Sequence, residues 1–302
     1  MGLAHVSAAF RAPPPLVPGA RIRVVAPASP FDRDELFRGL AWLRTRYALA
    51  IGGGIFSRSG DLRYLAGDDG RRAAELAAAF DEEGTSAILC ARGGYGLMRI
   101  VDDLPWERLA RRPKWIVGFS DVTALHLEAQ SRGMCTLHAP NVTGLGRRIS
   151  AAERGSFLDA LEGRAGTVFG GLRVLREGDA EGPVVGGNLA LVAAMVAHRP
   201  LPHGAIVLLE DVTERPYRID RMLATLRLAR VFARAAAVVF GQFTQCEPGP
   251  DGATVDDVLA DFARNVDVPV LAGAPFGHGA PNHAFVLGGR GRIVRDVLSI
   301  DV

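Results

Sequence analysis

Residues 115–126 read WIVGFSDVTALH. Trp115 to Val117 is a short apolar run of the kind a fully buried strand uses. Gly118 ends it, and Asp121 to Gln130 carries helical patterning. A strand that feeds a helix through a tight turn is the unit of a parallel sheet, because parallel neighbours need a crossover between them. Outward from this stretch the same alternation recurs. Arg23 to Ala26 (RVVA) reads as a strand before a helix over Asp32 to Tyr47, and a helix over Asp69 to Glu82 precedes the strand Ala87 to Cys90 (AILC). Further on, helices over Asn188 to Ala197 and Tyr217 to Ala229 flank the strand Ala205 to Leu209 (AIVLL). A strand over Val238 to Phe240, a helix over Val255 to Arg264 and a strand over Val268 to Leu271 follow. Between the two series, Asn141 to Glu181 is rich in glycine, with one helical patch around Ala152 to Leu161. The expected fold is α/β. A tail over 1–19 leads into an N-terminal parallel-sheet domain over 20–145 that bears Ser120. A linker over 146–181 then leads to a C-terminal α/β or β-rich domain over 182–302.

A chain of 302 residues can bury a large core, and 48% hydrophobic with 23% charged residues is ordinary soluble usage. Lys plus Arg at 35 against Asp plus Glu at 33 is too balanced for a protein built around nucleic acid or an anionic membrane surface. The basic residues are 34 Arg and one Lys, Lys114. Because Trp115 follows that lysine, there is no phosphate-binding P-loop, and a Schiff-base enzyme would have no other lysine to use. Three cysteines without a C-x-x-C spacing suggest neither a disulfide framework nor a zinc site and fit a reducing compartment. Arg11 and the prolines at 13–15 interrupt what a signal peptide needs as an apolar run, and no stretch is long enough for a membrane span. The expectation is a cytoplasmic protein with no metal or cofactor.

Of ten serines, only Ser86 and Ser120 have glycine two positions before them, and only Ser120 follows a strand. A hydroxyl at such a turn points from the sheet end toward the positive end of a helix, where backbone N–H groups can receive an oxyanion. The same pattern also describes a helix N-cap. A nucleophilic serine needs a base, and the base an orienting acid. His126, His198 and His203 read as surface or capping residues. His278 lies between Gly277 and Gly279 in a loop, with His283 and His138 as competitors. Glu210 closes the strand AIVLL and is the candidate acid, with Asp211 beside it. Val122 stands where G-x-S-x-G requires its second glycine, so the α/β-hydrolase pattern is not met.

Five blocks, ARGGYGLMRI (91–100), GFSDVTALH (118–126), GGNLALV (186–192), LLEDVTERPYRIDRML (208–223) and FGHGAPNHAFVLGG (276–289), together resemble the LD-carboxypeptidase family of serine peptidases. The resemblance runs in family order from about residue 20 to residue 300. It implies a Ser-His-Glu triad carried here by Ser120, His278 and Glu210, with the nucleophile on an N-terminal α/β domain and the other two on a C-terminal domain. It also implies release of a terminal D-alanine from murein tetrapeptides. His138-Ala139-Pro140-Asn141 stands where family members commonly have His-Gly-Pro-Met, a departure that bears on substrate contacts. The family includes immunity peptidases that cleave aminoacyl-nucleotide toxins, and the shorter chain here leans toward the carboxypeptidases.

On this reading the oxyanion is received by the backbone N–H of Asp121 and that of Gly94 in the RGGYG turn, where glycine leaves the N–H unobstructed. The substrate's free carboxylate calls for arginine, with Arg92 and Arg218 as candidates. The expected partner is a small peptide, neither nucleic acid nor membrane. The sequence is compatible with a homodimer. The rival reading is a non-catalytic α/β protein whose RGGYG turn cradles an anion, although no G-x-G-x-x-G follows the first strand.

Overall fold

The computed structural model describes residues 10–147 and 149–302. Residues 1–9 of the expected tail, His5 among them, lie outside the described residues. The tail's later part is packed down: Leu16 is buried, and the Trp115 indole donates to the Pro14 carbonyl.

The first half of the chain runs β1 (Arg21–Val25), α1 (Arg33–Arg44), β2 (Ala48–Ile51), α2 (Asp69–Asp81), β3 (Thr85–Cys90), α3 (Trp106–Arg111), β4 (Trp115–Gly118), α4 (Thr123–Ser131), β5 (Thr136–His138) and α5 (Val142–Leu145). Local chemistry accounts for several boundaries. The Asp32 carboxylate accepts the Glu35 N–H and starts α1, whose Leu36, Leu40 and Leu43 then fall on one buried stripe. Asp68 starts α2 in the same way.

There follow α6 (Ala151–Glu162), β6 (Thr167–Phe169), β7 (Arg173–Arg176), β8 (Ala180–Asn188), α7 (Leu189–Met195), β9 (Ile206–Val212), α8 (Pro216–Leu228), β10 (Ala237–Thr244), α9 (Val255–Arg264), β11 (Val270–Ala272), β12 (Phe285–Leu287), β13 (Arg290–Val294) and β14 (Val297–Asp301). Strands β1 to β5 form a parallel sheet, and β12 joins it as an antiparallel edge, giving the order β12-β5-β4-β3-β1-β2. The second sheet has eight strands in the order β6-β14-β13-β8-β9-β10-β11-β7. Its centre, β8 to β11, is parallel, and its flanks are antiparallel.

Two features differ from the sequence reading. The stretch 146–181, expected as a linker, carries α6, β6 and β7. A capping box between Ser150 and Glu153 starts α6, and its Phe157 and Leu161 are buried with Leu36 and Leu40 of α1, so the helix belongs to the first half's core. Strands β6 and β7 close the two ends of the second sheet. The other difference is in the expected C-terminal domain: its β12 leaves the C-terminal half and pairs with β5. A single apolar cluster also spans both halves, joining Val122 and Leu125 to Leu189, Leu209 and Phe240. The carboxyl ends of β4, β9 and β11 meet at this junction, the usual place for a site in an open α/β sheet.

Candidate active site

Ser120 stands two residues past the end of β4. It has φ 67°, the left-handed region that a β-carbon disfavours, at a cost of about 1–3 kcal/mol. The surrounding structure holds it there. The Phe119 N–H donates to Asn141 Oδ1 at 3.4 Å, and Gly93 lies so close that a β-carbon on it would stand 2.8 Å from Ser120 Cβ. The Asp121 side chain turns inward. Its Oδ2 accepts the Leu97 N–H at 2.9 Å, and burial pushes the carboxyl up to about 6. Ser29 fixes the same glycine turn from the other side: its N–H donates to the Gly93 carbonyl, and its Oγ accepts from the Tyr95 N–H. Among the described residues, no protein acceptor takes the N–H of Asp121 or of Gly94. Gly94 lines the same cleft as Ser120, and Asp121 follows Ser120 in the chain.

His278 comes from the loop between β11 and β12. Its Nε2 lies 3.0 Å from Ser120 Oγ and its Nδ1 2.7 Å from Glu210 Oε2. A carboxylate can only accept, so the ring proton sits on Nδ1 and the Nε2 lone pair faces the serine hydroxyl. Glu210, on β9, is fully buried, and its other oxygen is 3.5 Å from Asn188 Nδ2. Asn188 is held in turn by Asp211, which accepts from Asn188 Nδ2 and from the N–H groups of Ala190 and Val212. Burial raises Asp211 to about 6. Gly277 has φ +129°, and a β-carbon there would stand 3.0 Å from Glu210 Oε2, so glycine is required for the loop to come this close to the acid.

The competing histidines have other places. His138 is fully buried, stacks on Phe285 at 4.6 Å, and desolvation lowers it to about 3. His283 lines a separate cavity beside Ser156 and Phe169. His126, expected at the surface or as a cap, is completely buried; it donates from Nε2 to the Gly118 carbonyl and is lowered by burial to about 4.

Ser120 and His278 open into a cleft of about 450 Å³. Arg92, Gly93 and Gly94 form part of its wall. Arg218 does not line it. That side chain is half exposed on the first turn of α8, 3.6 Å from Glu214 and donating to the Tyr217 hydroxyl. The wall also includes Asn141, which stands where family members commonly have Met, and Arg147, Thr244 and Gln245, which sequence reasoning did not single out. Arg147 fell in the glycine-rich stretch taken for a linker. Gln245 has φ 55°, a conformation that no local pattern announces. Among the described residues no group of His, Cys, Asp and Glu could hold a metal ion, and no helix is long and apolar enough to cross a membrane.

Models of the LD-carboxypeptidase N-terminal and C-terminal domains match residues 22–139 and 181–293. The chain belongs to the LD-carboxypeptidase family. A putative carboxypeptidase of Streptomyces coelicolor is 40% identical over 275 residues, covering 88% of this chain and 87% of the relative. The murein tetrapeptide carboxypeptidase of Pseudomonas aeruginosa is 32% identical over 282 residues, covering 89% and 91%. The crystal structure of muramoyltetrapeptide carboxypeptidase from Oxalobacter formigenes superposes with a TM-score of 0.83 at 25% identity, covering 93% of this chain and 99% of that one. That solved structure shares its two-part α/β architecture.

Proposed function

We propose that this LD-carboxypeptidase relative is a serine peptidase that releases the terminal D-alanine from murein tetrapeptides in the cytoplasm, as a step of peptidoglycan recycling. The observation that carries the reading is the unbroken line from Ser120 Oγ through His278 to Glu210, opening on a cleft large enough for a peptide end. The name of the Pseudomonas aeruginosa relative supports the substrate class, and three free, buried cysteines fit a reducing compartment.

In the proposed reaction, His278 takes the Ser120 proton on Nε2 while Glu210 keeps the ring in one tautomer. Ser120 Oγ attacks the carbonyl of the amide that links the diamino acid to D-alanine. The oxyanion is received by the N–H groups of Asp121 and Gly94, and the loss of one such donor costs about a hundredfold or more in rate. His278 then protonates the leaving amine, and water, activated by the same imidazole, releases the acyl group. Arg92, on the wall of the cleft, receives the substrate's terminal carboxylate.

Incubation with a muramoyl tetrapeptide and mass spectrometry of the products tests this. Tripeptide and D-alanine are expected. An intact tetrapeptide, with hydrolysis of an aminoacyl sulfamoyl adenosine run in parallel, would move the protein to the immunity branch of the family.

A further inference from the structure

The cleft that holds Ser120 has two arginines on its wall, and both side chains are fixed against the same corner of the fold. Arg92 Nη1 donates to the Pro30 carbonyl at 2.6 Å, and Arg147 Nε donates to Glu35 Oε1 at 3.0 Å. Pro30 and Glu35 flank Asp32, the N-cap of α1. The backbone just before Arg147 is tied to the same helix, because Arg38 Nε donates to the Gly146 carbonyl at 2.8 Å. Each arginine thus spends one N–H on a structural anchor. Among the described residues the other N–H groups of both side chains have no hydrogen-bonding partner in the protein, and both side chains are exposed.

A guanidinium carries five donors in a planar fork, so an anchored one retains a face suited to an anionic, planar group. Two such groups beside one cleft favour a carboxylate there over a neutral amide. The chain position of Arg92 says which carboxylate. It immediately precedes Gly93 and Gly94, the turn that approaches Ser120. In a peptide cleaved at its last bond, only the amide nitrogen and one α-carbon separate the scissile carbonyl from the terminal carboxylate. Carboxylates upstream of the scissile bond lie on the other side of the nucleophile.

We propose that Arg147 is a specificity-determining residue which, together with Arg92, seats the terminal carboxylate of the substrate and so restricts the enzyme to the last peptide bond. The inference rests on the peptidase reading above. The assignment gives a role to the ion pair with Glu35, which pre-orients a long side chain that would otherwise lose rotamer freedom on binding.

The test compares two peptides that differ in one group, a murein tetrapeptide ending in D-alanine and the same peptide ending in D-alanine carboxamide. Wild type is expected to favour the free acid by at least tenfold in kcat/KM. In R147Q that ratio should fall severalfold, chiefly through KM on the acid, and in R92Q/R147Q it should approach one. R147K, which keeps the charge and loses the fork, should recover part of the ratio. A merely structural role would lower both peptides alike and leave the ratio in place, which overturns the proposal, as would an R147Q enzyme that keeps the wild-type preference. Wild type that cleaves neither peptide defeats the peptidase reading instead, and the inference with it.

Discussion

Ser120 and His278 reach the same point by different physical means. The serine is aimed by its own backbone, which Asn141 and Gly93 then brace. Gly118 ends a central parallel strand, φ at Ser120 turns positive, and a helix begins three residues later, so a handful of neighbouring residues sets where Oγ points. The histidine is placed by remote contacts. Its loop closes on itself where the Gly277 N–H meets Asn282 Oδ1 at 3.1 Å and the His283 N–H meets the Pro275 carbonyl. It is tied outward by Gln242 of β10, which donates to the Pro281 carbonyl, and by Glu153 of α6, whose Oε1 accepts the Asn282 N–H at 2.9 Å. Glu153 uses its other oxygen for the capping box of α6. One carboxylate therefore starts a helix of the first half and holds the base loop of the second. A nucleophile at a strained angle is aimed by the chain beside it, even where remote contacts brace it. A base that must only be held near it can be specified by packing.

The sharpest break of that comparison is at the serine. S120A is expected to lower kcat by several orders of magnitude, with urea stability within about 0.5 kcal/mol of wild type, because no core cavity opens. Activity above a few per cent in a stable S120A would mean that another group attacks.

On the other side, E153A removes a remote tie and no reacting atom. It should cost about 1–3 kcal/mol of stability, since it orphans the buried Asn282 N–H. The loosened loop should lower kcat about tenfold while KM changes little. If kcat is unaffected, the loop is held without α6, and the contrast between local and remote placement weakens.

Behind the site lies a layer of buried titratable side chains. His138 and His126 are buried neutral, lowered to about 3 and about 4 from the ordinary 6.5. Between pH 6.5 and 4 the unfolded chain takes up protons on them that the folded protein cannot, so their contribution to stability is lost as pH falls through that window. Asp121 and Asp211, raised to about 6, work in the opposite sense, because the folded protein protonates them first. H138F removes one histidine from this balance and keeps a ring against Phe285. Its urea stability should fall less than that of wild type between pH 7 and pH 5, by about 2 kcal/mol. Parallel stability curves for the two proteins would contradict the buried neutral assignment.

The smallest effect is expected at Arg218. A half-exposed arginine that is paired with Glu214 and does not line the cleft contributes little. R218Q should change kcat/KM for a tetrapeptide by less than about twofold. A larger loss, confined to substrates with a free carboxylate, would return Arg218 to the substrate's path and displace Arg147.

Read alone, the chain shows the alternation of short apolar runs with amphipathic segments, and with it the α/β class and the strand-turn-helix around Ser120. Those signals are legible because strand burial, helix periodicity and capping act between residues a few positions apart. It also carried Glu210 at a strand end and His278 between glycines, together with five blocks that resemble one family. Location alone did not separate His278 from His138 and His283, since all three lie in segments rich in glycine or proline; the flanking glycines and the family resemblance favoured His278. The tertiary structure parts them in space: it buries His138 against Phe285, turns His283 into another cavity and leaves His278 within 3.0 Å of Ser120. The tertiary structure also sent β12 across to the first sheet, gave the glycine-rich stretch to α6, β6 and β7, and brought Arg147 to the cleft. Strand partners and loop anchors are chosen by apolar burial and hydrogen-bond satisfaction between residues more than a hundred positions apart, as with Glu153 and Asn282. No short window of sequence contains both members of such a pair.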